Sequence, residues 1–163
     1  MDGVIPQDTK QAEMLWHLRE GVAAAAGQYG YTLKYDVSLP AETYYQLVRD
    51  ARKFISTAFS VEESQKIKAV GYGHVGDGNL HLNISLPGYQ DENLQKKAYD
   101  LIDEFVMGKV REYKGSISAE HGIGQQKAKY LHYSKTREMI ETMKLVKQVF
   151  DPNGILNPKK VLI

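Results

Sequence analysis

Apolar and polar positions alternate with a period of two from residue 32: Leu33, Tyr35 and Val37 on one side, Lys34, Asp36 and Ser38 on the other. That is the pattern of a strand with one buried face. Before it, Asp8 or Thr9 can cap a helix with Leu15, Leu18, Val22 and Ala25 at helical spacing, ending within Gly27-Gln28-Tyr29-Gly30. Arg19 and Ala23 lie one turn apart on another face of this helix. Pro40 suits the first turn of a second helix with the stripe Tyr44, Leu47, Val48, Ala51, Phe54 and Ile55. Positions 60–66 read as a polar loop. Strands over about 67–74 and 79–86 follow, the second closed by Pro87-Gly88. Asp91 caps a long helix with Leu94, Ala98, Leu101, Ile102, Phe105 and Val110 inward, stopped near Gly115. Ser116-Ile117-Ser118-Ala119-Glu120 alternates again as a fourth strand.

The order β-α-β-β-α-β is that of a ferredoxin-like α+β fold: an antiparallel sheet, strand order 4-1-3-2, with both helices on one face. An N-terminal helix precedes it and C-terminal helices follow. Gly122-Ile123-Gly124 opens a short helix to about Tyr133, and Ser134 caps another with Met139, Met143, Val146 and Phe150 inward. Asp151-Pro152-Asn153-Gly154 is a turn leading through Ile155-Leu156-Asn157-Pro158 into an extended end. With no repeat and no linker, residues 1–163 read as a single domain.

The two middle strands meet at Asp77-Gly78, a favoured pair for a two-residue type I′ turn. A turn there pairs Gly76 with Asn79, Val75 with Leu80, His74 with His81 and Tyr72 with Asn83. Opposed residues share a face. Val75, Leu80, Leu82 and Ile84 then point to the helices, with Gly71 and Gly73 admitting a helix closely. The opposite face collects Tyr72, His74, His81, Asn83 and Ser85, joined by Lys34 and Asp36 from strand one and Ser118 and Glu120 from strand four.

Composition narrows the chemistry such a face can do. The 21 Lys and Arg against 20 Asp and Glu give no field favouring nucleic acid or an anionic membrane. The absence of cysteine excludes disulfides, thiolate ligands and a thiol nucleophile. No apolar run approaches a membrane span, and the start of the chain lacks the basic and apolar stretches of a signal peptide. Two histidines and a carboxylate remain, His74, His81 and Glu120, the ligand set of many catalytic zinc sites and equally of non-haem iron. A cross-strand histidine pair is also an ordinary surface feature. His121 projects differently from Glu120 and suits either a general base or a loop position. His17 and His132 fall in helices without convergent partners.

The motifs Lys34-Tyr35-Asp36-Val37-Ser38-Leu39-Pro40, Gly73-His74-Val75-Gly76-Asp77-Gly78-Asn79-Leu80-His81 and Ser118-Ala119-Glu120-His121-Gly122 occur in that order. With them the chain resembles the C-terminal part of FAD-linked D-2-hydroxy-acid dehydrogenases, flavoproteins of the vanillyl-alcohol-oxidase type that include D-2-hydroxyglutarate and D-lactate dehydrogenases. The resemblance implies His74, His81 and Glu120 as ligands of a divalent metal, usually zinc. It implies His121 as the residue that binds substrate and abstracts a proton, Arg19, Lys34 and Asn83 as substrate contacts, and Asn157 near the flavin. Ala23 departs from the family, which has a threonine there in the human-type enzyme, so 2-hydroxyglutarate, lactate and malate all stay open as substrates. FAD itself is implied to bind mainly to an N-terminal domain of the parent protein, with no counterpart in this sequence, so the chain reads as a fragment that supplies the metal and substrate half. Eukaryotic relatives are mostly mitochondrial. Two rivals remain: a stand-alone metallohydrolase, and a non-catalytic ferredoxin-like interaction module.

Overall fold

A computed structural model describes residues 3–163; Met1 and Asp2, on which part of the expectation about a signal peptide falls, lie outside the described residues. Three strands, β1 (Thr32–Ser38), β2 (Lys68–His74) and β3 (Asn79–Ser85), form an antiparallel sheet in the order β1-β3-β2. The helices are α1 (Thr9–Tyr29), α2 (Gln46–Ala58), α3 (Val61–Lys66), α4 (Glu92–Glu112), α5 (Leu131–Ser134) and α6 (Arg137–Phe150). The fold is α+β, as the alternation of strand and helix patterns implies. Among the described residues no helix is long and apolar enough to cross a membrane.

Period-two burial sorts the sheet into two faces. Leu33, Tyr35 and Val37 of β1 stand opposite Ile84, Leu82 and Leu80 of β3, all within one apolar cluster. Against this face pack α2, through Leu47, Val48, Ala51 and Ile55, and α4, through Ala98, Ile102, Val106 and Val110. The two helices lock through Phe54 and Phe105, stacked with ring centroids 4.1 Å apart. Gly71 is the point of closest approach: a Cβ there would sit 2.4 Å from the Val48 Cγ2.

The hairpin differs from the expected two-residue turn. Val75–Asp77 forms a 3-10 turn closed by Gly78 in the left-handed region, at φ 73°. The Asp77 carboxylate accepts from the Asn79 N–H at 3.0 Å, the local bond that makes Asp a turn former. Gly78 is also anchored from outside, its carbonyl accepting from the Leu39 N–H at 2.9 Å. The longer loop moves the register by two: His74 pairs with Asn79, and His81 with Tyr72. His74 and His81 are therefore diagonal neighbours, not an opposed pair. A shift by two leaves every strand residue on its expected face, because side-chain direction repeats every second residue. Val75 alone leaves the apolar face and is 70% exposed in the turn.

The fourth strand is reduced to one antiparallel bridge, Ser38 to Ser116, on the expected outer edge of β1. Beyond it residues 117–123 follow no regular structure, so Glu120 is carried by a loop. The polar stretch 60–66, expected as a loop, holds α3: the Ser60 hydroxyl accepts from the Glu63 N–H while the Glu63 carboxylate accepts from the Ser60 N–H. This reciprocal cap satisfies two of the N–H groups that a helix start leaves open. Glu63 also meets Lys97 of α4 at 2.8 Å. Ser60→Ala removes one half of the cap and is expected to cost about 1 kcal/mol, or roughly 2–4 °C in Tm for a chain of this size, read by thermal denaturation.

The terminal helices differ from expectation in their packing. α1 begins at the Asp8 cap, but Leu18 is 66% exposed, and the helix crosses the polar face of the sheet. There the Arg19 guanidinium lies 5.3 Å from the Tyr72 ring, and the Ala26 carbonyl accepts from the Thr32 hydroxyl at 3.1 Å. The short helical segment before Tyr133 begins later than expected, as a 3-10 turn over Ala128–Tyr130. α6 is capped by Thr136, not Ser134, and contains no buried residue, with Met139, Val146 and Phe150 exposed. The chain end is a series of turns, with Asn157, Lys159 and Val161 at positive φ, and not an extended segment.

Candidate metal and substrate site

On the polar face the register sets two adjacent rows: Asp36, His81 and Tyr72 across the sheet, then Ser38, Asn79 and His74. The loop carrying Glu120 lies over them. The Glu120 Oε1 is 2.6 Å from the His81 Nε2, accepts from the Asn79 amide at 2.7 Å, and lies 3.7 Å from the His74 Nε2. The three residues expected as metal ligands thus converge on one carboxylate oxygen. Hydrogen bonds from His81 and then Asn79 hold the Glu120 carboxyl below its usual range.

Among the described residues a second, overlapping group of possible donors is Asp36, His81, Glu120 and His121, whose ligand atoms all lie within 4.8 Å of one another. The His121 ring meets His81 edge-on at 5.4 Å between centroids. Donors around one tetrahedral zinc stand about 3.4 Å apart, given bonds near 2.05 Å. The His74–Glu120 spacing fits that value; the His81–Glu120 hydrogen bond would open to admit an ion. Two imidazoles and one or two carboxylates suit zinc or iron alike. The buried Asp36 Oδ1 supports a cation here, since it has no hydrogen-bond partner and lies 4.0 Å from the His81 Nε2.

The expected substrate contacts surround this cluster. Asn83 is buried one row further along, its amide donating to the Tyr72 hydroxyl at 3.2 Å, and it stands opposite Lys34. Arg19 reaches the same Tyr72 from α1. A cleft of about 460 Å³ brings Lys34 together with Asp36, His121 and Gly122. Asn157 does not line it; it borders a neighbouring cleft of about 480 Å³, which shares Gly124 and Lys160 with the first.

One residue of this region escapes sequence reasoning. Lys127 donates from its ammonium to the Asp36 carbonyl at 3.0 Å and lines the same cleft as Lys34 and His121. Burial lowers its pKa, opposed by the Asp36 and Asp103 carboxylates. It falls in the stretch expected as a short helix to about Tyr133, where nothing in the spacing marks it. Asp36 falls on the correct face by alternation, but only the folded chain shows what its carboxylate touches.

A match to the family of FAD linked oxidases, C-terminal domain, covers residues 1–161, and the chain belongs to that family. Among curated proteins it is similar to the mitochondrial D-2-hydroxyglutarate dehydrogenase of Arabidopsis thaliana, 45% identical over 161 residues, covering 99% of this chain and 26% of the relative. The corresponding enzyme of Danio rerio is 44% identical, covering 99% of this chain and 28% of the relative. A putative mitochondrial D-lactate dehydrogenase of Schizosaccharomyces pombe is 42% identical, covering 98% of this chain and 30% of the relative. The chain therefore spans about a quarter to a third of the length of these relatives.

Proposed function

We propose that residues 1–163 act as one unit supplying the metal and substrate half of an FAD-linked dehydrogenase that oxidises a D-2-hydroxy acid to the 2-oxo acid. The observation that carries this is the convergence of His74 and His81 on one oxygen of Glu120, with His121 beside them. Family membership and the names of the relatives support this reading over a stand-alone hydrolase or an interaction module. Their mitochondrial naming supports the same location for the whole protein in a eukaryote.

His74, His81 and Glu120 would hold a divalent ion, zinc by the family resemblance. Such an ion would supply Lewis acidity toward a substrate hydroxyl, and FAD, bound mainly outside this chain, would supply the hydride acceptor. This chain's own residues do the rest. An imidazole nitrogen of His121 takes the hydroxyl proton as the carbonyl forms. Arg19 and Lys34 bind substrate oxygens as charged donors, and the Asn83 amide orients the substrate from the sheet. Asn157 would lie near the flavin, as the family resemblance implies.

The test is turnover of the whole protein with D-lactate, D-2-hydroxyglutarate and their L-enantiomers, using a reducible dye as acceptor. A 2-oxo acid should form from a D-substrate in step with dye reduction. His121→Asn should lower kcat by about 10²–10⁴-fold, the usual range for a general base, with metal content unchanged. Unaltered kcat in that variant would remove His121 from the mechanism, and ester hydrolysis without 2-oxo acid formation would restore the hydrolase.

A further inference from the structure

Two of the groups proposed to act in the chemistry, Glu120 and His121, sit on an irregular part of the chain. Residues 117–123 have no strand or helix hydrogen bonds to define them, and the last sheet contact before them is the Ser38–Ser116 bridge. His74 and His81, by contrast, ride on paired strands. Something must fix the loop to the sheet closely enough for the two halves to act together.

We infer that Asp36 is a positioning residue that clamps this loop through its backbone and so sets Glu120 and His121 against His81. Its Oδ2 accepts from three successive N–H groups, Ala119 at 3.1 Å, Glu120 at 3.0 Å and His121 at 2.8 Å. The Ser118 hydroxyl approaches the same atom at 3.4 Å. Successive amides turned to one point make a concave anion site, and here the anion is a side chain of the central sheet layer. Asp36 is 2% exposed, so its partners are protein groups and not water. A buried carboxylate without such donors would be costly, and three charge-assisted bonds make its ionised form acceptable. The other oxygen, Oδ1, is left buried and unpartnered on the His81 side, where its charge supports a dication bound next to it.

This placement explains why a loop can carry catalytic groups. Rotating Asp36 away would release three amides at once, and with them the direction of both the Glu120 and His121 side chains. Outer groups that orient metal ligands are typically worth about 10–100-fold in metal affinity. The inference rests on the metal reading of His74, His81 and Glu120 only in its second half; the clamp itself does not need an ion.

The test therefore has two readouts. In the full chain without substitution, amide hydrogen exchange at Ala119, Glu120 and His121 should be slow, as for strand amides, despite the exposure of the loop. Exchange at unprotected-loop rates overturns the clamp, whatever any variant does. In Asp36→Asn, the same amides should exchange at least about tenfold faster, and Co²⁺ should bind about 10–100-fold more weakly, with an altered visible d–d spectrum. Leu80 and Leu82 amides, in the core of the sheet, should keep their protection. Co²⁺ binding by Asp36→Asn with the affinity and spectrum of the unsubstituted chain overturns the proposed effect on the ligands. No Co²⁺ binding by the unsubstituted chain overturns the metal reading, while the amide rates still decide the clamp.

Discussion

Replacing His81 with alanine lowers turnover of the whole protein by at least about 10³-fold, since Lewis-acid stabilisation is worth several kcal/mol. Bound metal falls from about one equivalent to a trace, because a three-residue ligand set does not retain an ion tightly on two. His81 is the expected centre of the loss: its Nε2 lies 2.6 Å from Glu120 and 4.0 Å from Asp36, and its ring faces both His74 and His121. The fold should survive, because the imidazole lies on the polar face and outside the apolar cluster. Metal analysis after dialysis, steady-state rates and far-ultraviolet circular dichroism check the three parts. Full metal occupancy in His81→Ala would sink the site as drawn.

Leu82→Ala destabilises the chain by about 2–5 kcal/mol, the range for deleting a buried leucine, which lowers Tm by roughly 4–20 °C. Leu82 is fully buried at the middle of the central strand, between Tyr35 and Gly71. Gly71 offers no side chain to fill the space, and Val48 already packs against its Cα. The cavity can therefore relax little. Denaturant titration of wild type and variant gives the difference, and a loss below about 1 kcal/mol would show that α2 and α4 collapse into the gap.

What could be read without the structure was mostly what depends on local repetition. The alternation in β1 put Lys34 and Asp36 on the polar face and Leu33, Tyr35 and Val37 in the core, where they lie. Those faces survived an incorrect hairpin register, since an error of two residues returns every strand side chain to the same side. The Ser60–Glu63 cap of α3 went unread: its Ser-x-x-Glu pattern lies in a stretch whose polar composition reads as a loop, and the helix there came only with the structure.

The remainder depended on contacts between distant parts of the chain. Asp77-Gly78 permits a two-residue turn, but the Leu39 N–H binding the Gly78 carbonyl, and the Tyr44 hydroxyl donating to the Asn79 carbonyl at 2.8 Å, accompany a longer one. The apolar spacing of α1 and α6 was real, yet neither helix turns those residues into the apolar cluster. Periodicity states which residues share a face and is silent on what that face meets.

By itself the sequence determined three of the four expected strands, their two faces and the residue types available for a metal and an acid substrate. Only the tertiary structure decided how those residues meet: His74 diagonal to His81, Glu120 brought over both by a loop, and that loop fastened by the Asp36 carboxylate. The physical reason is the range of the forces involved. Side-chain alternation is set by the backbone two residues away, whereas the bonds from Asp36 join positions more than 80 residues apart, and no local pattern encodes them.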